Sequence, residues 1–123
     1  MTAPPPSRPL DHLARCGVPD APALLIGDMV MDFAALEASV GRLAAWLAGQ
    51  LPTKGARIAS WTAKSRLACL LPLAAARAGL VHVPINPLLK GAQADHILSD
   101  SGAALLLTNA ARAGTLTRQP GCA

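Results

Sequence analysis

The stretch "AARAGLVHVPINP", residues 75–87, decides the fold, because it passes from a helical pattern through one glycine into a hydrophobic run that two prolines close. Gly79 favours the left-handed conformation in which helices end. The run that follows shows no polar alternation apart from His82. Such a run is typical of a parallel strand covered on both faces. The stretch therefore predicts a helix that folds back over a buried strand.

Two other apolar segments supply neighbours for this strand, residues 56–61 ("ARIASW") and 103–108 ("AALLLT"). A helix capped by Thr62 or Ser65 is predicted to join the first of them to the central stretch, and Pro72 inside it predicts a kink or a break, because proline lacks the N–H. A third helix, with Ala94, Ile97 and Leu98 inward, is predicted to end near Gly102. Strands that alternate with helices are typical of right-handed parallel crossover units.

The region before these units predicts a hairpin and one more helix. Two short apolar runs, residues 23–26 and 29–31, flank Gly27 and Asp28, as in a two-residue turn. Asp32 is suited to cap a helix, whose apolar residues recur at steps of three and four: Phe33, Leu36, Val40, Leu43, Leu47 and Leu51. The predicted fold class is α/β, a partial, doubly wound, mostly parallel sheet with flanking helices, preceded by a small antiparallel hairpin.

The composition excludes several classes of protein. The 123 residues suit one domain, and the net charge of +4 is spread without a basic run, which excludes a typical nucleic-acid interface. The longest uncharged apolar run, residues 67–76, is about half a membrane span. Cys16, Cys69 and Cys122 are widely separated and lack the spacing of a disulfide framework or zinc site. We expect a cytoplasmic protein without a membrane span.

No catalytic, cofactor-binding or metal-binding residue is predicted. The glycines form no phosphate-binding loop, and the three histidines have no metal-ligand spacing. His82 is expected to be a hydrogen-bonded core residue rather than a catalytic base. Asp95 and His96 are adjacent and so point to different helix faces, which excludes a dyad.

The remaining polar residues favour structural roles. Asn86 lies between two prolines, at the carboxyl end of a strand, where open α/β sheets place ligands, yet turn capping is the favoured role. A helix-ending turn is predicted for Asp100, Ser101 and Gly102. The serines considered as nucleophiles have no base beside them and no G-x-S-x-G setting: Ser39, Ser60 and Ser65.

In chain order, four segments resemble the beginning of the AMP-forming adenylate ligases, which include acyl-CoA synthetases, adenylation domains of peptide synthetases and luciferases. "MDFAALEASVGRLAAWL" resembles the first core motif of that superfamily, and "KGARIASW" resembles the Lys-Gly-Asp-Arg-Val segment after it. "AAARAGLVHVPINPLL" is similar to the second core motif, and "ADHILSDSGAALLLT" resembles the helix and strand that follow. The resemblance covers about residues 10–108.

The resemblance implies a parent reaction in which a carboxylate attacks ATP to give an acyl-adenylate and pyrophosphate, before the acyl group passes to coenzyme A. Asn86 favours acyl-CoA synthetases, because peptide-synthetase domains more often carry Asp there. His82, Ala35 and Ala56 depart from the usual aromatic, Glu and Asp. The phosphate loop, the adenine-contacting and ribose-binding motifs and the catalytic lysine come later in the superfamily and do not occur here. ATP, magnesium and coenzyme A are therefore implied for the full-length family only.

We accordingly expect an N-terminal fragment of an AMP-forming acyl-CoA ligase that is inactive alone. Residues 1–9 are predicted to be a disordered lead-in, residues 10–108 the first part of the ligase N-terminal domain, and residues 109–123 a non-matching tail. The expected partner is the remainder of a ligase or a complementing chain. Two alternatives are a complementing or regulatory subunit of a separate ligase and a small-ligand-binding α/β module.

Overall fold

Two small sheets and their flanking helices make up the computed structural model, which describes residues 2–117 and 122. A short 3-10 helix, Leu10–Arg15, precedes the first strand. The strands are β1 (Pro22–Ile26), β2 (Met29–Asp32), β3 (Arg57–Trp61), β4 (Val81–Pro84) and β5 (Leu105–Thr108). The α-helices are α1 (Phe33–Gln50), α2 (Arg66–Arg77), α3 (Gly91–Ser101) and α4 (Ala110–Ala113).

The larger sheet has the order β4-β3-β5, and all three strands are parallel. Ile58 of β3 lies opposite His82 of β4 on one side and Leu105 of β5 on the other. The helices α2 and α3 are the connections that bring these strands together. The predicted α/β fold, with its three apolar segments side by side, is confirmed.

The predicted hairpin and first helix are also confirmed. Strands β1 and β2 pair antiparallel, with Ile26 opposite Met29, and Gly27 takes a φ of 54° in the turn, a conformation that favours glycine. The Asp32 side chain accepts a hydrogen bond of 2.7 Å from the Ala35 amide, which caps α1. The hairpin thus leads directly into α1.

Helix α2 is continuous through Pro72, so the predicted break does not occur. Ser65, one of the two expected caps, accepts a hydrogen bond of 3.1 Å from the Ala68 amide. Proline inside a helix costs about 3 kcal/mol, whereas burial of one leucine side chain stabilises by about 2 kcal/mol. Leu70, Leu71 and Leu73 of this helix are all buried, and their burial outweighs the cost of Pro72. The alternative of a kink stays a prediction.

The core lies on both faces of the parallel sheet. One cluster joins Ile58 to α1 and α2 through side chains that include Val40, Leu47 and Leu71. The other cluster joins Ala59 and Trp61 to α3, with Ala94 and Leu98 inward as predicted. Gly102 ends α3 with a φ of 66°. Among the helices of the described residues, none combines the length and apolar character needed to cross a membrane.

Candidate functional site

Asn86 caps the turn that follows β4, as predicted. Its Oδ1 accepts a hydrogen bond of 2.9 Å from the Leu88 amide, and its carbonyl oxygen accepts one of 3.1 Å from the Leu89 amide. A side-chain oxygen that bonds the amide two residues later stabilises such a turn. Asn86 thereby directs the chain from the sheet toward α3.

Ser60 and His82 form a polar pair on the face of the sheet that α1 and α2 cover. The distance between Ser60 Oγ and His82 Nε2 is 2.8 Å. Ser60 is buried and His82 is half-buried, so each side chain supplies a hydrogen-bond partner that the other needs. The expectation that His82 is a hydrogen-bonded core residue is confirmed.

The expectation that Ser60 has no base beside it is wrong. The two residues are 22 positions apart in the sequence, but the register of β3 with β4 places Ile58 opposite His82 and Ser60 opposite Pro84. Alternate residues of neighbouring strands share one face of a sheet, which brings Ser60 and His82 together. The sequence gives no sign of this pairing, because it depends on the register between two strands and not on residues that are neighbours along the chain.

A cavity of about 600 Å³ adjoins the Ser60–His82 pair. Its other walls are mostly apolar and include Leu10, Pro72, Ala76, Leu80 and Ile85. A serine nucleophile needs a base that a third group orients, and no carboxylate lies among the described residues of this lining. The pair therefore satisfies two polar groups and is not arranged as a catalytic triad.

Burial lowers the pKa of His82 below that of a free histidine. A lowered pKa means that the unfolded chain binds more protons than the folded chain between the two pKa values. The free energy of unfolding is therefore highest above the unfolded-state pKa of about 6.5. It decreases as the pH falls through the lower pKa that His82 has in the folded state.

We expect the free energy of unfolding to decrease when the pH is lowered from about 7.5 to about 5.5, because His82 must be protonated in a partly buried site. His82→Gln, whose amide can still bond Ser60, should reduce this dependence. Urea unfolding at a series of pH values measures it. His96→Gln is the matched control, since His96 is exposed. Equal slopes for the wild-type chain and His82→Gln would contradict the role of His82.

A second polar cluster centres on Arg77 at the end of α2. Its Nη1 and Nη2 donate to both oxygens of Glu37 at 2.9 and 2.8 Å, and its Nε donates to Asp11 Oδ2 at 3.0 Å. The hydrogen bond from Arg77 lowers the pKa of Glu37, and the hydrogen bond to Glu37 raises the pKa of Arg77. The cluster ties the 3-10 helix to α1 and α2 and has the character of a structural ion pair.

The other candidate residues stay apart. Asp95 Oδ2 accepts a hydrogen bond of 2.9 Å from the Thr117 amide, and the exposed His96 does not join it. Ser101 bonds the Leu98 carbonyl oxygen within the helix-ending turn, as expected for that position. The part of the chain that the structure describes brings no three His, Cys, Asp or Glu residues together as a metal site.

The sequence matches the AMP-binding enzymes over residues 14–121, which is most of the chain. The chain belongs to the AMP-binding enzyme family. This membership confirms the resemblance to the adenylate-forming ligases, of which the chain represents a short N-terminal segment. The matched segment corresponds to the first part of a larger adenylation domain.

Curated relatives of this AMP-binding family member include synthetases and a ligase. It is 37% identical over 101 residues to the FR901469 synthetase of Dothideomycetidae sp. (strain 11243), covering 80% of this chain and 1% of that protein. It is 33% identical over 105 residues to the L-proline--[L-prolyl-carrier protein] ligase of Pseudomonas fluorescens, covering 85% of this chain and 21% of that protein. The chain thus spans about a fifth or less of these relatives.

Solved structures share the fold. The N-terminal subdomain of Klebsiella oxytoca NpsA, in complex with anthranilyl-AMSN, superposes with a TM-score of 0.79 at 23% identity, covering 91% of this chain and 28% of that one. The Mycobacterium tuberculosis fatty acyl CoA synthetase superposes with a TM-score of 0.66 at 35% identity, covering 72% of this chain and 18% of that one. These superpositions agree with the small hairpin and the parallel sheet described above.

Proposed function

We propose that this chain is the first part of the N-terminal domain of an AMP-forming acyl-CoA ligase and is inactive alone. The family match over residues 14–121 carries the proposal. The complete ligase would activate a carboxylate with ATP, form an acyl-adenylate with release of pyrophosphate, and transfer the acyl group to coenzyme A. The chain spans 28% or less of the relatives described above, so the remainder of such a ligase is its proposed partner.

The acceptor thiol is proposed to be coenzyme A, on the basis of Asn86 between the two prolines. The 35% identity with a fatty acyl CoA synthetase supports this choice. A carrier-protein thiol is the second candidate, and the 33% identity with an L-prolyl-carrier protein ligase favours it. Asn86 is the residue that favours coenzyme A over a carrier-protein thiol in this proposal.

We further propose that no catalytic, cofactor-binding or metal-binding residue of the ligase reaction lies in this chain. The sequence supports this proposal, because it has no glycine-rich loop to hold the phosphates of ATP. The remainder of the ligase would hold ATP, magnesium and coenzyme A. The division at residues 9 and 108 stays a prediction. A cytoplasmic location is proposed from the wide separation of the three cysteines in the sequence, which lacks the spacing of a disulfide framework.

Pyrophosphate exchange tests the proposed inactivity. The purified chain, incubated with ATP, magnesium, labelled pyrophosphate and a panel of fatty and aryl acids, is expected to give no acid-dependent exchange above a blank without protein. A complete AMP-forming ligase serves as the positive control. Acid-dependent exchange by the chain alone would overturn the proposal of inactivity, and it would place catalytic residues within these 123 positions.

The downstream DNA separates the proposed fragment from the alternatives. A Ser-Gly-Thr-Thr-Gly-type loop in any reading frame after this gene would support a divided or truncated ligase, whereas an unrelated gene would count against it. A complementing or regulatory subunit would instead co-purify with a separate ligase chain. A small-ligand-binding module would be stabilised in a thermal-shift experiment by ATP or an acyl-adenylate analogue without any partner.

A further inference from the structure

A groove of about 350 Å³ lies between α1 and α2 and opens to solvent. It shares no described residue with the cavity beside Ser60 and His82. A groove between two helices has the shape into which a helix of a partner packs. The residues that define this α1–α2 groove are Ser39, Arg42, Leu43, Arg66, Leu67 and Leu70.

Apolar side chains form the floor of the α1–α2 groove and part of its rim. Leu70 is 5% exposed and Leu43 is half-buried. Leu67 is 37% exposed. Trp46 follows Leu43 by three residues on α1, which places it on the same side of the helix, and it is 46% exposed. Tryptophan and arginine are the residues that most often contribute strongly to protein–protein binding.

Two arginines of the α1–α2 groove carry positive charge that this protein does not neutralise. Arg42 and Arg66 are both exposed, and within the described part of the chain neither lies within ion-pair distance of a carboxylate. Glu37 is the only acid in the sequences of α1 and α2, and both of its oxygens accept hydrogen bonds from Arg77. The groove therefore combines an apolar floor with two cations that have no acidic neighbour.

The shape of the groove favours a polypeptide over a lipid surface. A membrane surface contacts side chains that protrude from a protein, whereas Leu70 is recessed between the two helices. A single apolar side chain on a partner helix reaches such a recess. Carboxylates one turn before and after that side chain lie on the same helix face, where they can pair with the guanidinium groups of Arg42 and Arg66.

We propose that the α1–α2 groove binds an acidic amphipathic helix of another polypeptide. The helix places an apolar side chain over Leu43 and Leu70, and its carboxylates pair with Arg42 and Arg66. Complementary charge of this kind sets the orientation of a partner and excludes basic competitors. The site depends only on residues of this chain, and it does not rest on the proposed ligase function.

The test is a titration of the ¹⁵N-labelled full chain with a synthetic peptide, followed by NMR. The probe is a helical peptide with leucines along one face and glutamates on both sides of them, and the control peptide has glutamine in place of every glutamate. The indole N–H resonance of Trp46 is expected to shift and saturate with the glutamate peptide, while that of Trp61, which is 2% exposed, stays in place. An unmoved Trp46 resonance, or equal affinity for the two peptides, would overturn the proposal.

Variants of the chain locate the binding. Arg42→Gln and Arg66→Gln should each weaken binding of the glutamate peptide about tenfold, as expected for the loss of one charge-assisted contact. Both replace exposed side chains, so each variant should keep the fold. Lys54→Gln is the charge-matched control, because Lys54 is exposed, follows the end of α1 and does not line the groove. Equal weakening by all three variants would mean attraction to net charge alone and would contradict the proposed site.

Two further measurements distinguish the other possible occupants. If anionic phosphatidylglycerol vesicles bound the chain through Arg42 and Arg66 and the glutamate peptide did not, the groove would belong to a membrane surface and the proposal would be wrong. If sedimentation equilibrium showed a dimer that Arg42→Gln dissociates, the occupant would be a second copy of this chain, which also contradicts the proposal. A monomer that binds the glutamate peptide and not the vesicles is the expected result.

Discussion

Replacement of Arg77 by alanine is expected to lower the free energy of unfolding by about 2 kcal/mol. The guanidinium makes two hydrogen bonds to Glu37 and one to the Asp11 carboxylate, and the Arg77 and Asp11 side chains are only 18% and 11% exposed. Removing one partner of a buried pair leaves an uncompensated charge and costs about 3–5 kcal/mol. Glu37 is 33% exposed, so water replaces part of the lost interaction and reduces the effect.

Urea unfolding of Arg77→Ala and of Arg15→Ala compares the loss of stability at the two arginines. Arg15 bonds the same Glu37 at 3.0 Å but is 54% exposed, and loss of a surface pair of this kind changes stability by less than about 1 kcal/mol. Arg77→Lys should be intermediate, because an ammonium keeps the charge but not the two-pronged geometry. Equal destabilisation by Arg77→Ala and Arg15→Ala would contradict the structural role of Arg77.

The parallel sheet was predictable from local patterns. Each strand of the larger sheet is a short apolar run with a glycine or a helix end before it. These two features are enough to predict a buried parallel strand. Gly79 and Gly102 both have positive φ and lie where helices end. The helix caps Asp32 and Ser65 were recognisable, because a side-chain oxygen just before an apolar helical stripe commonly accepts a hydrogen bond from the first free amides of the helix.

The contacts between distant segments were not predictable in the same way. Arg77 lies 66 residues from Asp11 and 40 residues from Glu37, and no local pattern relates these charges. The Ser60–His82 pair depends on the register between two strands, which depends on the packing of the whole sheet. At Pro72 the sequence predicted a kink or a break, and the break does not occur for the same reason, since leucines buried by tertiary packing outweigh a local helix preference.

Leu71→Ala is expected to have the largest effect on stability, a loss of about 3 kcal/mol in the free energy of unfolding. Leu71 is fully buried and belongs to the cluster that joins α1, α2 and the sheet. Its truncation removes apolar contacts and leaves a cavity, and such changes cost about 2–5 kcal/mol. A small domain is stable by about 5–15 kcal/mol, so the variant should unfold at a much lower urea concentration.

Leu67→Ala is the matched control, because Leu67 lies one helical turn earlier on α2 and is 37% exposed. Its truncation should cost less than about 1 kcal/mol, since much of its surface is already in water. Leu71→Met should lose less than about 1.5 kcal/mol, because it nearly keeps the side-chain volume. If both alanine variants lost the same stability, α2 would not bury Leu71 against α1 and the sheet, and the core described for this segment would be wrong.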